Sequence, residues 1–168
     1  RKPWRRIWMR VGVHAVGRMK AGPEKELADR FFDRFAKFGP SVGLEFSGVF
    51  EVVEGRSRET AERRGDEASR LVAQMPPGAA LILLDERGKN ITSEDFANQI
   101  AALRDGGGKA IAIVIGGPDG HGPSLRDQAA LTLSFGALTW PHQLVRVMLA
   151  EQLYRASTIL AGHPYHRA

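Results

Sequence analysis

Two short, uninterrupted apolar runs constrain the fold more than any other feature of the sequence. "AALILLD" spans residues 79–85 and "KAIAIVIGG" spans residues 109–117, and neither alternates polar with apolar residues. Short continuous runs bounded by turn residues are typical of strands buried on both faces, as in parallel sheets. These runs therefore favour an α/β fold, with a parallel sheet covered by helices on both faces.

The remaining segments alternate in the way such a fold requires. "MRVGVHAVG" at 9–17 and residues 42–53 read as strands, and residues 23–39 and 56–74 have helical spacing of apolar residues. A capped helix is predicted to begin at Ser93 and to end in the glycines at 106–108, and a short helix then leads into a strand near Leu131 to Phe135. No internal repeat or long linker interrupts the pattern, so residues 9–168 are predicted to form one domain.

The last predicted helix runs from Pro141 to about Leu160, and it lacks a broad polar face. Its apolar residues point in nearly every direction: Leu144, Val145, Val147, Met148, Leu149, Leu153, Tyr154 and Ile159. One side can pack on the sheet, but the other side needs a second cover. A symmetric partner subunit is the simplest candidate for that cover, and another helix of the same chain is the alternative.

Composition excludes several classes of function. The chain has no cysteine, which rules out disulfides, thiolate nucleophiles and cysteine zinc sites, and it has no apolar run long enough to span a membrane or serve as a signal peptide. We therefore expect a cytoplasmic protein. Of its net charge of +5, four charges come from Arg1, Lys2, Arg5 and Arg6. Residues 1–8 are interpreted as a basic extension or a cloning artefact, so any nucleic-acid site must be local.

A glycine turn follows the second buried run. "IVIGGPDG" places Gly116, Gly117 and Gly120 at the carboxyl end of a strand, where ligands bind in parallel sheets and where glycine permits close approach to the backbone. Ordinary turn chemistry is the alternative interpretation. The motif is neither a Walker loop nor a dinucleotide fingerprint, which argues against nucleotide hydrolysis and hydride transfer.

The C-terminal tail "GHPYHRA" combines an aromatic ring with hydrogen-bond donors, as a nucleotide-binding segment would, although a frayed terminus is the alternative. Pro164 separates His163 from His166 and no carboxylate cluster accompanies them, so no metal site is predicted. Asp85 and Glu86 at a strand end are more typical of residues that orient backbone than of an acid/base pair.

Three stretches together resemble one family: "IVIGGPDG", "LSFGALTWPHQLVRVMLAEQLYRA" and "HPYHR". In this order and spacing they resemble the ribosomal RNA large subunit methyltransferase H family, which are small pseudouridine N3-methyltransferases of the SPOUT class. The resemblance runs from Met9 to Arg167. It implies a parallel sheet with a C-terminal trefoil knot, a pocket for S-adenosylmethionine and a homodimer. It also implies that "FGALTW" is the knot turn around the cofactor and that Pro141 starts the interface helix.

The resemblance assigns roles to individual positions. The cofactor contacts would be Leu84, Gly116, Phe135, Gly136, Ala137, Leu138, Thr139 and Trp140. The substrate side would be Arg155, Tyr165, His166 and Arg167, completing the pocket of the other subunit. An arginine, Arg167 or Arg155, would stabilise the imide anion of the base, and His166 is a candidate proton acceptor. Alternatively, Arg155 only pairs with Glu151 one turn earlier.

The activity implied by the resemblance is methylation of N3 of a pseudouridine in helix 69 of 23S rRNA, on the assembled 70S ribosome. Two related alternatives stay open: a SPOUT methyltransferase that acts on another RNA, and a non-catalytic RNA-binding knot protein. A hydrolase that uses His121 or His142 is a more distant alternative, because neither histidine has an evident serine or carboxylate partner in the sequence.

Overall fold

The computed structural model describes residues 8–167, so the interpretation of residues 1–7 as an extension lies outside the described part of the chain. Strands and helices alternate along these residues. The strands are β1 (Met9–Val16), β2 (Leu44–Val52), β3 (Ala80–Lys89), β4 (Ala110–Ile115) and β5 (Ala129–Leu133). The helices are α1 (Pro23–Phe38), α2 (Thr60–Gln74), α3 (Ser93–Asp105), α4 (Pro123–Gln128) and α5 (His142–Ala161), with a 3-10 turn at Gly39–Val42.

The five strands form one sheet in the order β2-β1-β4-β3-β5, and every neighbouring pair is parallel. The predicted parallel sheet is therefore confirmed. Its centre is the second apolar run, now β4, in which all six residues are buried. Because parallel strands end at the same edge, the segments that follow β3, β4 and β5 are brought together there.

The sheet has a separate apolar core on each face. Side chains alternate along β4, so that Ile111, Ile113 and Ile115 join α1, α3 and α5 on one face. Ala112 and Val114 join α2 and α4 on the other face. The prediction of helices on both faces is confirmed, and it explains why β4 has no polar residue.

Helix α5 lies among helices of its own chain. It packs beside α1 and α3 on the sheet, where Leu149 and Leu153 are fully buried. The alternative cover, a helix of the same chain, therefore accounts for much of its apolar surface. What stays exposed is concentrated at and before its first turn, where Leu138 is 72% exposed and Trp140 and Leu144 are each 39% exposed.

Several predicted boundaries differ from the structure. The strand predicted near Leu131 to Phe135 is β5, which runs from Ala129 to Leu133. The residue that caps α3 is Thr92 and not Ser93, since the Thr92 side chain accepts a hydrogen bond from the Asp95 backbone N–H at 3.1 Å. Pro141 precedes α5 instead of opening it, and its carbonyl accepts from Val145 N–H at 3.0 Å. Strand β3 extends to Lys89, past the end of the apolar run.

The helices within residues 8–167 include none with the length and apolar character that a membrane span requires.

One histidine is buried inside the sheet layer. His14 on β1 is 1% exposed, stacks on Phe50 with ring centroids 5.0 Å apart, and has no hydrogen-bond partner for Nδ1 among residues 8–167. Burial lowers the pKa of His14 below its ordinary value of 6.5, because the charged ring would lose its hydration. The folded protein therefore holds His14 neutral.

We expect this histidine to make the fold sensitive to mild acid. His14 in the unfolded chain gains a proton near its ordinary pKa of 6.5, whereas the folded form resists it, so stability falls as pH drops below that value. Denaturant unfolding of wild type and His14→Phe between about pH 7.5 and pH 5 measures this. The variant should lose less stability on acidification, and equal losses would contradict the assignment.

Candidate functional site

A cavity of about 440 Å³ lies at the carboxyl edge of the sheet, where the segments after β3, β4 and β5 meet. Seven of the eight predicted cofactor residues line it: Leu84, Gly116, Phe135, Gly136, Leu138, Thr139 and Trp140. Ala137 belongs to the same turn but is not part of the wall. The family resemblance thus grouped residues that are far apart in the chain and that the structure places around one cavity.

The glycine turn forms one wall of the cavity and is tightly folded. Gly120 N–H donates to Gly117 O at 2.9 Å, and Gly120 has a φ of 72°, a left-handed conformation that favours glycine. A Cβ at Gly116 would lie 3.0 Å from Cε1 of the His121 ring, so glycine leaves room for that ring. The turn therefore presents backbone to the cavity.

His121 links the glycine turn to β3. Its Nε2 lies 3.0 Å from Leu84 O, and the residue is 2% exposed. Burial lowers its pKa, and this effect outweighs the contacts with backbone and Asp85 that favour the charged ring. Neutral His121 donates from Nε2 to the Leu84 carbonyl, so it supports the turn. It has no serine or carboxylate hydrogen-bond partner within residues 8–167, and neither has His142, which gives no support to a hydrolase triad.

Helix α2 holds the glycine turn from outside, a role that the sequence analysis missed. Arg63 Nε donates to the Asp119 carboxylate at 2.9 Å, and Arg64 Nε donates to the Asp119 carbonyl at 3.0 Å. The buried carboxylate of Glu67 accepts from Gly55 N–H at 2.9 Å and lies against Gly117. The only signal in the sequence was the adjacent arginine pair, which the helical pattern alone treats as a solvated face.

The opposite wall is built where the exit of β5 crosses β3. Leu133 pairs with both Leu84 and Lys89, so residues 85–88 bulge out between these two positions. Ser134 N–H donates to Lys89 O at 2.9 Å, and Ser134 Oγ accepts from Gly136 N–H at 3.1 Å. Gly136 has a φ of 114°, so the turn reverses direction at a position that favours glycine.

Asp85 orients the bulge, as expected from its position at a strand end. Its Oδ1 accepts from Arg87 N–H at 2.9 Å, and its Oδ2 lies 3.4 Å from the Arg126 guanidinium. That second contact is an ion pair without hydrogen-bond geometry, because Oδ2 has no hydrogen-bond partner in the described chain. Glu86 is exposed, so the two acids are not arranged as an acid/base pair.

The four predicted substrate residues lie together, but not at the cavity. Arg155 donates from Nε to Glu151 at 2.6 Å, its guanidinium lies 4.8 Å from the Tyr165 ring centroid, and its Nη1 lies 3.0 Å from His166 Nδ1. Arg167 follows on the surface and is exposed. The pairing of Arg155 with Glu151, given as the alternative role, is present, but it is not the sole contact of Arg155, because the tail is also packed against this side chain.

Glu94 at the start of α3 anchors this tail. Its Oε1 lies 2.7 Å from His166 Nε2, and this hydrogen bond is the main reason why the pKa of Glu94 is lowered. An arginine faces Nδ1 and can only donate, so Nδ1 accepts and Nε2 carries the proton toward Glu94. Both nitrogens of His166 are therefore engaged, and it can accept a proton only after its contact with Arg155 breaks.

The two groups of predicted residues are separated by most of α5. His142 lines the cavity at one end of the helix, and Arg155 lies about 20 Å further along, at about 1.5 Å per residue. None of Arg155, Tyr165, His166 and Arg167 lines the cavity. No group of three or more metal-ligating side chains is present within residues 8–167.

Comparison with known proteins defines the class. The family model SPOUT_MTase, described as "Predicted SPOUT methyltransferase", matches residues 9–166, which include every wall of the cavity and the tail as far as His166. The parallel sheet, the glycine-lined edge and this match define a SPOUT methyltransferase. Among solved structures, the SpoU methyltransferase AviRb from Streptomyces viridochromogenes, in complex with AdoMet, is 15% identical, with a TM-score of 0.38 and coverage of 91% of this chain and 62% of that one. This likeness is remote and carries no functional argument.

Relatives that are similar in sequence identify the family within the SPOUT methyltransferases. A protein of Mesorhizobium japonicum named "Ribosomal RNA large subunit methyltransferase H" is 71% identical over 160 residues, which cover 95% of this chain and 100% of the relative. Proteins of the same name from Brucella anthropi and Rhizobium johnstonii are 59% and 58% identical over 95% of this chain, covering 100% and 99% of those relatives. The chain belongs to the ribosomal RNA large subunit methyltransferase H family of SPOUT methyltransferases.

The crossing at Gly88 gives a stability prediction. A Cβ at Gly88 would lie 2.7 Å from backbone atoms of Thr132 and Leu133, which cannot move aside as a flexible side chain can. Gly88→Ala should therefore lower the free energy of unfolding by about 1–3 kcal/mol, the usual cost of overpacking. Gly65→Ala in α2 is the control, because its Cβ would meet open space, and it should raise stability by about 0.5–1 kcal/mol. Denaturant unfolding measures both, and a neutral Gly88→Ala would contradict this geometry.

Proposed function

We propose that the protein transfers a methyl group from S-adenosylmethionine to N3 of a pseudouridine in helix 69 of 23S rRNA, in the assembled 70S ribosome. The observation that carries this proposal is the cavity, whose walls are the segments that the family resemblance assigns to the cofactor. The names of the relatives support an rRNA substrate. Such a substrate would place the protein in the cytoplasm.

The cavity suits a nucleoside cofactor. Its volume of about 440 Å³ lies in the range of about 300–1,000 Å³ that small-molecule sites occupy. A Cβ at Gly136 would meet no heavy atom within 4 Å, so the bare backbone of the turn borders open space. The residues that would hold the cofactor are Leu84, Gly116, Phe135, Gly136, Leu138, Thr139 and Trp140, and Ala137 would contribute only as part of the turn that contains the last five of them. When bound, the cofactor supplies an electrophilic methyl group that carries its own leaving group.

The protein must then bind the base and favour loss of its N3 proton. Arg155 is already balanced by Glu151 at 2.6 Å, whereas Arg167 is exposed and bonds no other residue within 8–167. Arg167 is therefore the cation that stabilises the imide anion, and Arg155 positions Tyr165 and His166 beside it. The Tyr165 ring supplies a stacking surface for the base.

A homodimer would bring the two halves of the site together. Within one chain, Arg155 lies about 20 Å along α5 from the cavity end, which is too far for a shared small substrate. We therefore propose that the tail of one subunit completes the cavity of the other. The exposed Leu138, Trp140 and Leu144 supply an apolar surface for that contact. The crossing of β5 over the 85–88 bulge supports a knotted path for residues 132–141.

The surface charge favours an assembled substrate over naked RNA. Four of the five net positive charges come from residues 1–6, so the rest of the chain is nearly neutral. Without a strongly basic surface, tight binding to bare phosphate backbone is not expected. Shape and local contacts must supply the recognition.

Methyl transfer to ribosomes tests the proposed function. With methyl-labelled cofactor, we expect label in 23S rRNA of 70S ribosomes and little in free subunits, with mass mapping locating it at a pseudouridine in helix 69. Label in tRNA or at another rRNA position would establish a different RNA target. Cofactor binding without transfer to any of these RNAs, or no cofactor binding at all, would contradict the proposal.

Two variants separate the halves of the site. Arg167→Ala should abolish methylation and leave cofactor affinity near wild type, because Arg167 does not line the cavity. Gly136→Val should abolish cofactor binding, because a branched side chain disfavours a φ of 114° and would enter the cavity. Calorimetry and the transfer assay measure these effects, with thermal unfolding as the control for folding.

The same variants test the composite site. Co-expressed with different tags, the two inactive chains should give heterodimers with one intact site, formed by the Arg167→Ala cavity and the Gly136→Val tail. These heterodimers should recover about half of wild-type activity per dimer. If each chain carried a complete site, no activity would return, and the proposed exchange of tails would be wrong.

A further inference from the structure

One charged side chain in the cavity wall has unused hydrogen-bond donors. Arg64 projects from α2 and lines the cavity, and its Nε donates to the Asp119 carbonyl at 3.0 Å. Its two terminal nitrogens bond no residue within 8–167. The backbone contact fixes the direction of the guanidinium group without neutralising its charge.

The nearest acid is occupied by the neighbouring arginine. The Asp119 carboxylate accepts from Arg63 Nε at 2.9 Å and from Arg63 Nη2 at 3.4 Å. Arg63 Nη1 also donates to the carbonyls of Ser57 and Arg58, so the guanidinium group of Arg63 is fully engaged in contacts within the fold. Asp119 therefore leaves the terminal nitrogens of Arg64 available for a ligand.

Asp85 and Arg87, which also belong to the cavity wall, are in ion pairs, unlike Arg64. Asp85 is shared between Arg87 and Arg126, with N to O distances of 3.7 and 3.4 Å. Arg87 is also largely in solvent, since 64% of its side chain is exposed. Among the described residues of the wall, Arg64 is the partly buried cation without a carboxylate partner.

The cofactor proposed for this cavity carries a carboxylate at its amino-acid end. The eight residues that the family resemblance assigns to the cofactor are all uncharged, so none of them balances that group. A guanidinium group presents paired donors that match a carboxylate, and a fixed orientation lowers the entropic cost of binding.

We propose that the terminal nitrogens of Arg64 form a carboxylate-binding subsite for the amino-acid end of S-adenosylmethionine. This inference rests on the proposed function, because it takes the cofactor as the occupant of the cavity. Arg64 is a binding residue in this role, and its contribution is to affinity and to discrimination against nucleosides that lack the amino-acid chain.

Two nucleosides isolate the contribution of Arg64. S-adenosylhomocysteine retains the carboxylate, and 5′-methylthioadenosine lacks the amino-acid chain. By calorimetry on the full chain, Arg64→Gln should weaken binding of S-adenosylhomocysteine by about tenfold to a hundredfold and leave 5′-methylthioadenosine unchanged. Arg64→Lys should restore part of the loss. Arg70→Gln is the matched control, since it removes the same charge from α2 at a residue that does not line the cavity, and it should change neither affinity.

The possible outcomes distinguish the inference from the function on which it rests. If wild type binds S-adenosylhomocysteine and Arg64→Gln binds it equally well, the subsite is wrong and the proposed cofactor stands. Equal weakening for both nucleosides would also overturn it, because that pattern indicates a damaged cavity. Weaker binding to ribosomes with unchanged nucleoside affinity would assign Arg64 to RNA phosphate instead. If wild type binds neither nucleoside, the proposed function fails together with the subsite.

Discussion

The passage of the β5 exit over Gly88 is the contact on which the rest of the site depends. Backbone atoms of Thr132 and Leu133 would lie 2.7 Å from a Cβ at that position, so the two segments meet without side chains between them. Residues 85–88 bulge out between the two positions of β3 that pair with Leu133, and the residues that follow Leu133 continue into the cavity wall. The wall formed by the bulge and by the turn after β5 depends on this contact, whereas the glycine turn forms the opposite wall, and helix α5 begins after the turn.

The neighbouring residues Arg63 and Arg64 have different partners at the carboxyl edge of the sheet, and this difference sets the charge there. Arg63 donates to the carboxylate of Asp119, whereas Arg64 donates only to its carbonyl. The charge of Arg63 is therefore balanced within the fold, and that of Arg64 is not. At the far end of α5, Glu151 balances Arg155 and Glu94 holds His166, while Arg167 is left in solvent. In both places a neighbouring residue makes the structural contacts, and one arginine, Arg64 or Arg167, has no carboxylate partner among the described residues.

The sequence predicted the sheet well because its strongest signals are apolar. Continuous burial of "IAIVI" follows directly from two covering layers, and the glycine turn after it marks the ligand edge. The family resemblance also assigned to the cofactor seven residues that line one cavity, which no local pattern would have joined. The caps were less predictable, because Thr92 and Ser93 are chemically equivalent as candidates and only backbone geometry chooses between them.

The spacing of residues in the sequence did not predict the long-range polar contacts. The partners Arg64 and Asp119, or Glu94 and His166, are far apart in the chain, and nothing in their spacing indicates that they meet. The extent of the apolar α5 surface covered by α1 and α3 was also hidden, because a helical wheel shows which faces are apolar but not which neighbours cover them.

The length of helix α5 sets the distance between the cavity and the tail. It is one unbroken rod of 20 residues, with the cavity at its first turn and the tail docked near its last turns. Each residue of an α-helix adds about 1.5 Å of length and about 100° of rotation, so gaining or losing a single residue would swing Arg155 onto a different side of the molecule. The number of residues in α5 therefore fixes both the distance and the direction from the cavity to Arg155.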